Sequence, residues 1–311
     1  MKKILYTLLA VSIIFSACEK EEEETNNNNN SALAIGDTHQ GGIIFYLDAN
    51  GGGLIAAPSD QGQFGQAIWG CYGTLISGAD GSGIETGNQN TIIGTNAGDA
   101  LTDADGNVAL GTLALTSDTL GSDSIAIGNN ALSSQNFTTA TSSYNVAIGK
   151  NAGLDITTGV ANTLIGGLAG DALTDADSNV AVGQNALSTD TLGSNSTAIG
   201  QGALANCNFT TATSTHNTAV GYDAGSALST GVQNTLIGST AGDAITTGSY
   251  NAALGYGALS ADDLGSQSVA IGYHALVAQN YATATASFNT AVGSSAGANV
   301  STGVQNTLIG G

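Results

Sequence analysis

The sequence has no arginine and only four lysines, against 24 acidic residues, and its formal net charge is −20. Proteins that bind nucleic acid draw most of their affinity from lysine and arginine contacts to phosphates. Because such residues are almost missing here, nucleic acid is excluded as a partner.

Residues suited to acid–base catalysis are also scarce. The three histidines are His39, His216 and His274, and none stands in a Ser-His-Asp arrangement or beside a recognisable pair of carboxylates. The glycines recur periodically and no Gly-Lys-Ser/Thr follows them, so they do not form a phosphate-binding loop. We therefore expect neither enzymatic activity nor a cofactor.

Acidic clusters are the only candidates for a metal site. The heptapeptide DALTDAD occurs twice, and it places acids at Asp99, Asp103, Asp105, Asp171, Asp175 and Asp177. Carboxylates are good Ca²⁺ ligands, but the third copy, from Asp243, reads DAITTGS and loses two of the three acids. We therefore predict that these residues shape turns and that no metal is bound.

Cysteine is rare as well, with three residues in the chain. Cys71 and Cys207 lie in unrelated segments and show no spacing pattern, so we predict small buried residues rather than a disulfide. Cys18 is different. It follows two lysines, the apolar run Ile4 to Phe15 and the small residues Ser16 and Ala17, which is the layout of an export signal.

The first 17 residues are thus predicted to be a signal peptide. The apolar run is shorter than the roughly 20 residues that span a bilayer, and Phe15-Ser16-Ala17-Cys18 resembles a bacterial lipobox. That resemblance implies cleavage before Cys18, acylation of its thiol and amino group, and anchoring of the exported chain in the outer membrane at the cell surface, since several acyl chains hold a protein stably.

Residues 18–35, with the acidic run EKEEEE and five consecutive asparagines, are predicted to be a disordered tether. The acidic run also resembles the signal that sends some lipoproteins to the outer face of the cell. A solvated spacer is the alternative interpretation.

Residues 36–87 differ from the rest of the chain. Two apolar runs, Ile43 to Leu47 and Leu54 to Ala57, flank the turn-forming residues 48–53, which predicts a β-hairpin with a loop longer than two residues. The stretches GGIIFYLD, GLIAAPSDQ and WGCYGT resemble the start of a domain known from the C-terminus of a collagen-like bacterial adhesin. We expect a small β-rich cap or adaptor.

Residues 88–311 are repetitive. The pattern Asn or Ser, any residue, Ala or an aliphatic, an aliphatic, Gly recurs at steps of 17, 17, 21 and 17 residues, a super-repeat of 72 residues. It ends at Gly94, Gly111, Gly128, Gly149, Gly166, Gly183, Gly200, Gly221, Gly238, Gly255, Gly272, Gly293 and Gly310. A fixed period of this kind marks a solenoid.

The pentapeptides predict short strands. In Asn217 to Gly221, for example, Thr218 and Val220 share one face and Ala219 lies on the other. Both faces are nearly free of charge, as in parallel strands that are covered on both sides. The predicted fold is all-β, a parallel β-solenoid of about thirteen coils that follows the small hairpin module and the tether.

These units resemble the head repeats of trimeric autotransporter adhesins of the YadA type, and also repeats of some phage tail fibres. Matching pentapeptides include Ser124–Gly128, Asn217–Gly221 and Ser268–Gly272. The resemblance implies a left-handed β-roll and a homotrimer, with the lipid on Cys18 in place of the membrane barrel of that family. An exposed β-branched stripe would suit such an interface; a monomeric solenoid is the alternative.

The third coil of each four-coil super-repeat carries a four-residue extension with two ring residues. The pairs are Phe137 with Tyr144, Phe209 with His216 and Tyr281 with Phe288. Rings on loops of a rigid scaffold are candidates for contact with a surface glycan or a protein receptor. Alternatively, each pair closes its own loop or packs on the adjacent coil.

The sequence therefore predicts a lipid-anchored surface adhesin or fibre-like protein whose repeated weak sites act through avidity. The alternatives are a passive spacer, a surface-layer component, or a repeat protein like those of phage tail fibres that has no ligand of its own.

Overall fold

The computed structural model describes residues 89–311 and, before them, the backbone of three strands within residues 38–56. The chain divides into two units, Met1–Ser77 and Gly78–Gly311. The predicted signal peptide, the tether, Cys18 and Cys71 lie outside the described residues. Every regular element of the described part is a β-strand, and this part contains no helix with the length and apolarity needed to cross a membrane.

The first unit contains the predicted hairpin. Strands β1 (Thr38–His39), β2 (Gly42–Leu47) and β3 (Gly53–Ala56) form an antiparallel sheet in that order. The register of β2 and β3 shifts between Ile44 and Tyr46, as at a β-bulge. Residues 48–52 connect the two strands, so the prediction of a hairpin with a long loop is confirmed.

The second unit is a parallel β-solenoid, as predicted. Its main sheet has thirteen strands of three residues each, which pair in parallel in chain order. We call each repeat, from one of these strands to the next, a rung. The strands are β4 (Thr91–Ile93), β5 (Val108–Leu110), β7 (Ile125–Ile127), β9 (Val146–Ile148), β10 (Thr163–Ile165), β11 (Val180–Val182), β13 (Thr197–Ile199), β15 (Thr218–Val220), β16 (Thr235–Ile237), β17 (Ala252–Leu254), β19 (Val269–Ile271), β21 (Thr290–Val292) and β22 (Thr307–Ile309).

Three smaller parallel pairs join each extended rung to the rung before it. They are β6 (Gly121–Ser122) with β8 (Thr141–Ser142), β12 (Gly193–Ser194) with β14 (Thr213–Ser214), and β18 (Gly265–Ser266) with β20 (Thr285–Ala286). The strands of the main sheet are shorter than the five residues of the pentapeptide. The first and last pentapeptide residues lie just outside these strands and make further contacts between rungs.

The glycine that closes each pentapeptide lies against the next rung. At Gly166 the φ angle is +137°, and a Cβ there would lie 2.5 Å from the carbonyl oxygen and 2.6 Å from the carbonyl carbon of Gly183. Residues with a side chain seldom adopt such a φ. Gly183 meets Gly200 in the same way, so the glycine period records where backbones of successive rungs touch.

The asparagine that opens the pentapeptide belongs to a buried ladder. Asn162 is fully buried. Its main-chain N–H donates to Asn145 Oδ1 (2.9 Å), its own Oδ1 accepts from the Asn179 N–H (3.0 Å), and its Nδ2 donates to the Ala176 carbonyl (2.7 Å). Buried polar groups need such partners. The buried polar groups of each rung therefore find their hydrogen-bond partners in the neighbouring rungs.

The core is made of small and aliphatic side chains. The middle residue of each inner strand is buried, as in Ala147 and Ala181, while the residues on either side are half-buried or exposed. Leu164 replaces the usual alanine in β10. Its Cδ atoms lie 2.8 Å and 2.7 Å from the positions that Cβ atoms of Gly153 and Gly170 would occupy.

Leu236 stands in the same relation to Gly225 and Gly242, at 2.6 Å and 2.8 Å. The pentapeptide NTLIG thus recurs every 72 residues because one rung of each super-repeat supplies the large side chain that two neighbouring glycines leave room for. Close packing of this kind is the norm in protein interiors.

The outer face of the main sheet is uncharged and largely aliphatic, with threonine at the first position of seven of its thirteen strands. All thirteen strands end in Ile, Val or Leu, and none carries a charged side chain at any position. Ile165, Ile199 and Leu254 are exposed to 37%, 38% and 46% in the single chain. One chain therefore covers only the inner face of the sheet, whereas the sequence predicted strands covered on both sides.

Candidate functional site

The predicted ring pairs are split between the core and the surface. Phe137, Phe209 and Tyr281 are buried, with 6%, 6% and 4% of their surface exposed. The Tyr281 hydroxyl donates a hydrogen bond to the Gly303 carbonyl (2.7 Å). These rings pack against neighbouring rungs, since Gly303 belongs to the rung after Tyr281 and a Cβ on Gly121, in the rung before Phe137, would lie 2.7 Å from Phe137 Cδ2. A ligand on the outside would therefore not reach their faces.

The second ring of each pair is exposed. Tyr144 and Phe288 have 62% and 52% of their surface accessible, and His216 is exposed as well. All three have a left-handed backbone, with φ of 51°, 50° and 49° for Tyr144, His216 and Phe288, because each occupies the same corner of its rung. We call these three residues the corner rings. They recur every four rungs, or about 19 Å.

A buried carboxylate explains why the first ring of each pair is buried and the second is exposed. Asp118 Oδ1 accepts the main-chain N–H groups of Gly121 (3.1 Å) and Phe137 (3.0 Å). The turn that begins at Asp118 is thereby tied to the extension of the next rung, and the Phe137 ring is drawn into the core. Asp190 makes the same two bonds to Gly193 and Phe209, at 3.1 Å and 3.0 Å.

A glutamine completes this arrangement in the first and third super-repeats. Gln135 Nε2 donates to Asp118 Oδ2 (2.5 Å) and Ser124 Oγ (2.9 Å), and its Oε1 accepts from Asn145 Nδ2 (2.9 Å). Gln279 makes the equivalent bonds to Asp262, Ser268 and Asn289, at 2.6, 2.7 and 2.7 Å. Every polar atom of the glutamine side chain is used.

In the second super-repeat Cys207 takes the place of that glutamine. It is a buried free thiol, as predicted from the sequence. Asp190 Oδ2 is buried there without a hydrogen-bond partner, and burial raises the pKa of this carboxyl. Burial and the charge of Asp190 raise the pKa of the Cys207 thiol. A protonated, enclosed thiol is a poor nucleophile.

Replacement of Cys207 by glutamine is expected to stabilise the protein by about 1–2 kcal/mol, because Asp190 Oδ2 and Asn217 Nδ2 would gain the partners that their counterparts have. Thermal and denaturant unfolding of Cys207→Gln against wild type would measure it. The reverse change, Gln135→Cys, is the matched control and should destabilise by a similar amount. A Cys207→Gln variant less stable than wild type would contradict this interpretation of the network.

The acidic clusters lie at corners between rungs. Asp175 Oδ1 accepts from Thr158 Oγ1 (2.7 Å), and Asp177 Oδ1 accepts from the Val160 N–H (2.8 Å). These bonds tie adjacent turns together. No group of three or more His, Cys, Asp or Glu side chains suited to a metal ion occurs among the described residues.

Sequence reasoning missed a second set of exposed rings. Tyr222, Tyr256 and Tyr273 are exposed to 53%, 54% and 54%, and each directly follows a pentapeptide glycine. His274 stacks on Tyr273, with 4.0 Å between ring centroids and 22° between planes. Writing the rungs beneath one another would have revealed the set, because these tyrosines fall in one column.

The corner rings and this tyrosine column lie at opposite ends of the strands of the main sheet, since one set precedes each strand and the other follows it. Exposed rings thus border the largely aliphatic outer face on both sides. Comparison of the chain with protein-family models, curated proteins and solved structures found no match.

Proposed function

We propose that this protein is a lipid-anchored adhesin of the bacterial outer surface, in which a trimeric β-solenoid presents the same weak binding site at regular intervals. The observation that carries the proposal is the recurrence of an exposed ring, at Tyr144, His216 and Phe288, on one corner of a continuous stack of rungs. Multiple weak contacts on one support bind through avidity.

The stack of rungs in the solenoid, which we call the rod, supports this role because it holds the corner rings at fixed spacing. Thirteen rungs at the strand spacing of about 4.8 Å give a stack of about 58 Å. Each rung is fastened to the next by strand pairing, the asparagine ladder and the contacts between glycines. Binding residues on such a rigid support lose little freedom when they bind.

The outer face of the main sheet supports self-association. This face measures about 58 Å by about 10 Å, or about 600 Å², and it carries an uninterrupted row of Ile, Val and Leu at the ends of all thirteen strands. A continuous exposed aliphatic row of this kind marks an interaction surface. A face without charge along thirteen strands fits another copy of itself. Because the repeats resemble YadA-type heads, we propose a homotrimer assembled through this face.

Anchoring at the cell surface follows from the lipobox resemblance at Cys18 and from the acidic tether. The lipid would hold the tether at the membrane, and the tether would let the solenoid project from it. The partner reached in this way is proposed to be a surface glycan or protein on another cell. No catalytic role is part of this proposal.

An attachment assay under flow tests the proposal. Cells that display the wild-type protein are predicted to attach, and a Tyr144→Ala, His216→Ala, Phe288→Ala triple variant is predicted to lose most of this attachment. The loss should exceed the sum of the single changes because avidity depends on all sites together. The three residues are exposed, so the variant should fold normally.

A Gln233→Ala, Gln267→Ala, Gln305→Ala triple variant is the matched control, since these three side chains are also exposed at this corner, with left-handed φ of 57°, 60° and 59°, but carry no ring. Equal surface amounts are verified by antibody labelling of intact cells. If the triple variant attaches as well as wild type, the corner rings are not the site. If wild type does not attach at all, the rod is a passive spacer.

A further inference from the structure

The tyrosine column contains a compact three-ring cluster. Tyr256 and Tyr273 stand at the same position of two adjacent rungs, and their rings are nearly parallel, with 5.7 Å between centroids and 12° between planes. The His274 ring lies 4.0 Å from Tyr273 and 5.5 Å from Tyr256. We call these residues the Tyr256 cluster.

Backbone contacts hold the cluster in place. The His274 N–H donates to the Tyr256 carbonyl (2.9 Å). The His274 ring lies over Gly257, where a Cβ would be only 2.6 Å from His274 Cδ2. The histidine is half-buried, whereas both tyrosine rings are more than half exposed. His274 stacks on one face of Tyr273, and the rest of the two tyrosine side chains is held in place and exposed to solvent.

We propose that the Tyr256 cluster binds a neutral polysaccharide. One face of a sugar ring is covered by C–H groups, which are attracted to the negative face of an aromatic ring, and the tyrosine hydroxyl can bond the sugar hydroxyls at its edge. Exposed, nearly parallel tyrosine rings on a rigid backbone offer this contact without reorganisation.

The spacing of the column suits an extended chain. Successive rungs rise by about 4.8 Å, which is close to the length of one sugar unit in an extended polysaccharide. Tyr222 lies two rungs before Tyr256, with Ser239 between them. A chain that runs along the rod can therefore contact Tyr273, Tyr256 and Tyr222 and meet a hydroxyl at Ser239.

Charge and size favour this ligand over others. The protein has a net charge of −20, and the Asp223 carboxylate beside Tyr222 raises the pKa of that hydroxyl. An anionic polymer would be repelled. A stable protein partner would need about 800 Å² of surface per partner, whereas the Tyr256 cluster covers only two rungs and has serines, not aliphatic side chains, at the neighbouring positions Ser239 and Ser294.

The inference goes beyond the proposed adhesive role, because the Tyr256 cluster shares no residue with the corner rings. Retention of the purified full-length chain on solid polymers tests it. The probes are crystalline cellulose, chitin and insoluble mannan as neutral polysaccharides, heparin beads as a polyanion and albumin beads as an unglycosylated protein. The variants are Tyr256→Ala with Tyr273→Ala, and as matched control Gln184→Ala with Gln201→Ala, two exposed side chains without rings at the same position of two other adjacent rungs.

Wild type is expected to bind at least one neutral polysaccharide and not heparin. The Tyr256→Ala, Tyr273→Ala variant should bind that polymer about tenfold more weakly or worse, with an unchanged melting temperature, and the control pair should bind like wild type. Three results would overturn the proposal: no retention on any neutral polysaccharide, equal retention of the cluster variant, or ring-dependent retention on heparin or albumin.

The purified chain needs neither export nor a membrane in this assay. Failure here with normal attachment of cells would therefore reject only the carbohydrate site. Polysaccharide retention without cell attachment would reject only the adhesive role.

Discussion

Alanine at Gly166 is expected to lower the free energy of unfolding by about 2–6 kcal/mol, whereas alanine at the adjacent Gly167 should change it by less than about 1 kcal/mol. The two glycines are neighbours in sequence but differ in their surroundings. The difference in stability between the Gly166→Ala and Gly167→Ala variants therefore measures the contact between rungs, because both variants gain the same methyl group.

The large effect has two physical causes. Gly166 has a φ of +137°, which strains any residue with a side chain, and its new Cβ would stand 2.5 Å from the Gly183 carbonyl oxygen. Both atoms belong to paired backbones, so neither can move without breaking strand pairing. At Gly167 the nearest atom, the Lys150 carbonyl oxygen, would be 4.0 Å away.

Equilibrium denaturation followed by circular dichroism would measure both variants. In a solenoid each rung is stabilised mainly by its neighbours. A weakened contact at Gly166 should therefore also broaden the unfolding transition, because the rungs on either side of it would unfold less cooperatively. Equal stability of the two variants would show that successive glycines do not touch.

Aspartate at Ile165 and Ile199 together is expected to convert a trimer into a single chain. Each side chain lies on the outer face of the main sheet, 37% and 38% exposed when the chain is alone. The change should cost one chain little, because an aspartate there can reach water. In an assembly through this face the same carboxylates would be buried together without partners, which is strongly unfavourable.

Light scattering coupled to size-exclusion chromatography gives the molar mass directly. The expected results are three chain masses for wild type and one for the Ile165→Asp, Ile199→Asp variant. Gln184→Asp with Gln201→Asp adds the same charge at exposed positions just beyond the strands of neighbouring rungs, and this control should stay trimeric. A wild-type mass of one chain, or a charged-face variant that remains trimeric, would remove the proposed interface.

The number and order of the rungs could be predicted because each rung repeats a backbone requirement. Gly166 and its counterparts must lack a side chain, and Asn162 and its counterparts must bridge two rungs, so both positions are constrained every 17 or 21 residues. The length of the strands was predicted less well, since five-residue strands were expected and the strands of the main sheet have three residues. Asn217 and Gly221 follow the alternation of a strand and keep main-chain hydrogen bonds to the neighbouring rung (Thr197 N–H to the Asn217 carbonyl and Gly221 N–H to the Ile199 carbonyl, both 2.8 Å). They nevertheless lie outside β15, and Gly221 leaves strand geometry with a φ of +141°.

The sequence pattern could not predict which ring of each pair is buried and which is exposed. Phe137 and Tyr144 look equivalent within a polar extension that has no period. What separates them is Asp118, which bonds the Phe137 N–H from the preceding rung, and a contact between residues 19 positions apart leaves no local signal. The Tyr256 cluster was missed for a similar reason, because Tyr256 and Tyr273 become neighbours only when the rungs are stacked.

The chain advances by one strand spacing per rung, whatever the number of residues in the rung. Spin labels at Thr95, Asn129 and Gln201, each exposed and next to a pentapeptide glycine, would test it in a chain whose native cysteines are replaced and which is diluted with unlabelled protein. Pulsed electron resonance should give about 19 Å between positions 129 and 201, four rungs apart, and about 29 Å between positions 95 and 201, six rungs apart. Distances that do not grow in proportion to the number of rungs would contradict the solenoid.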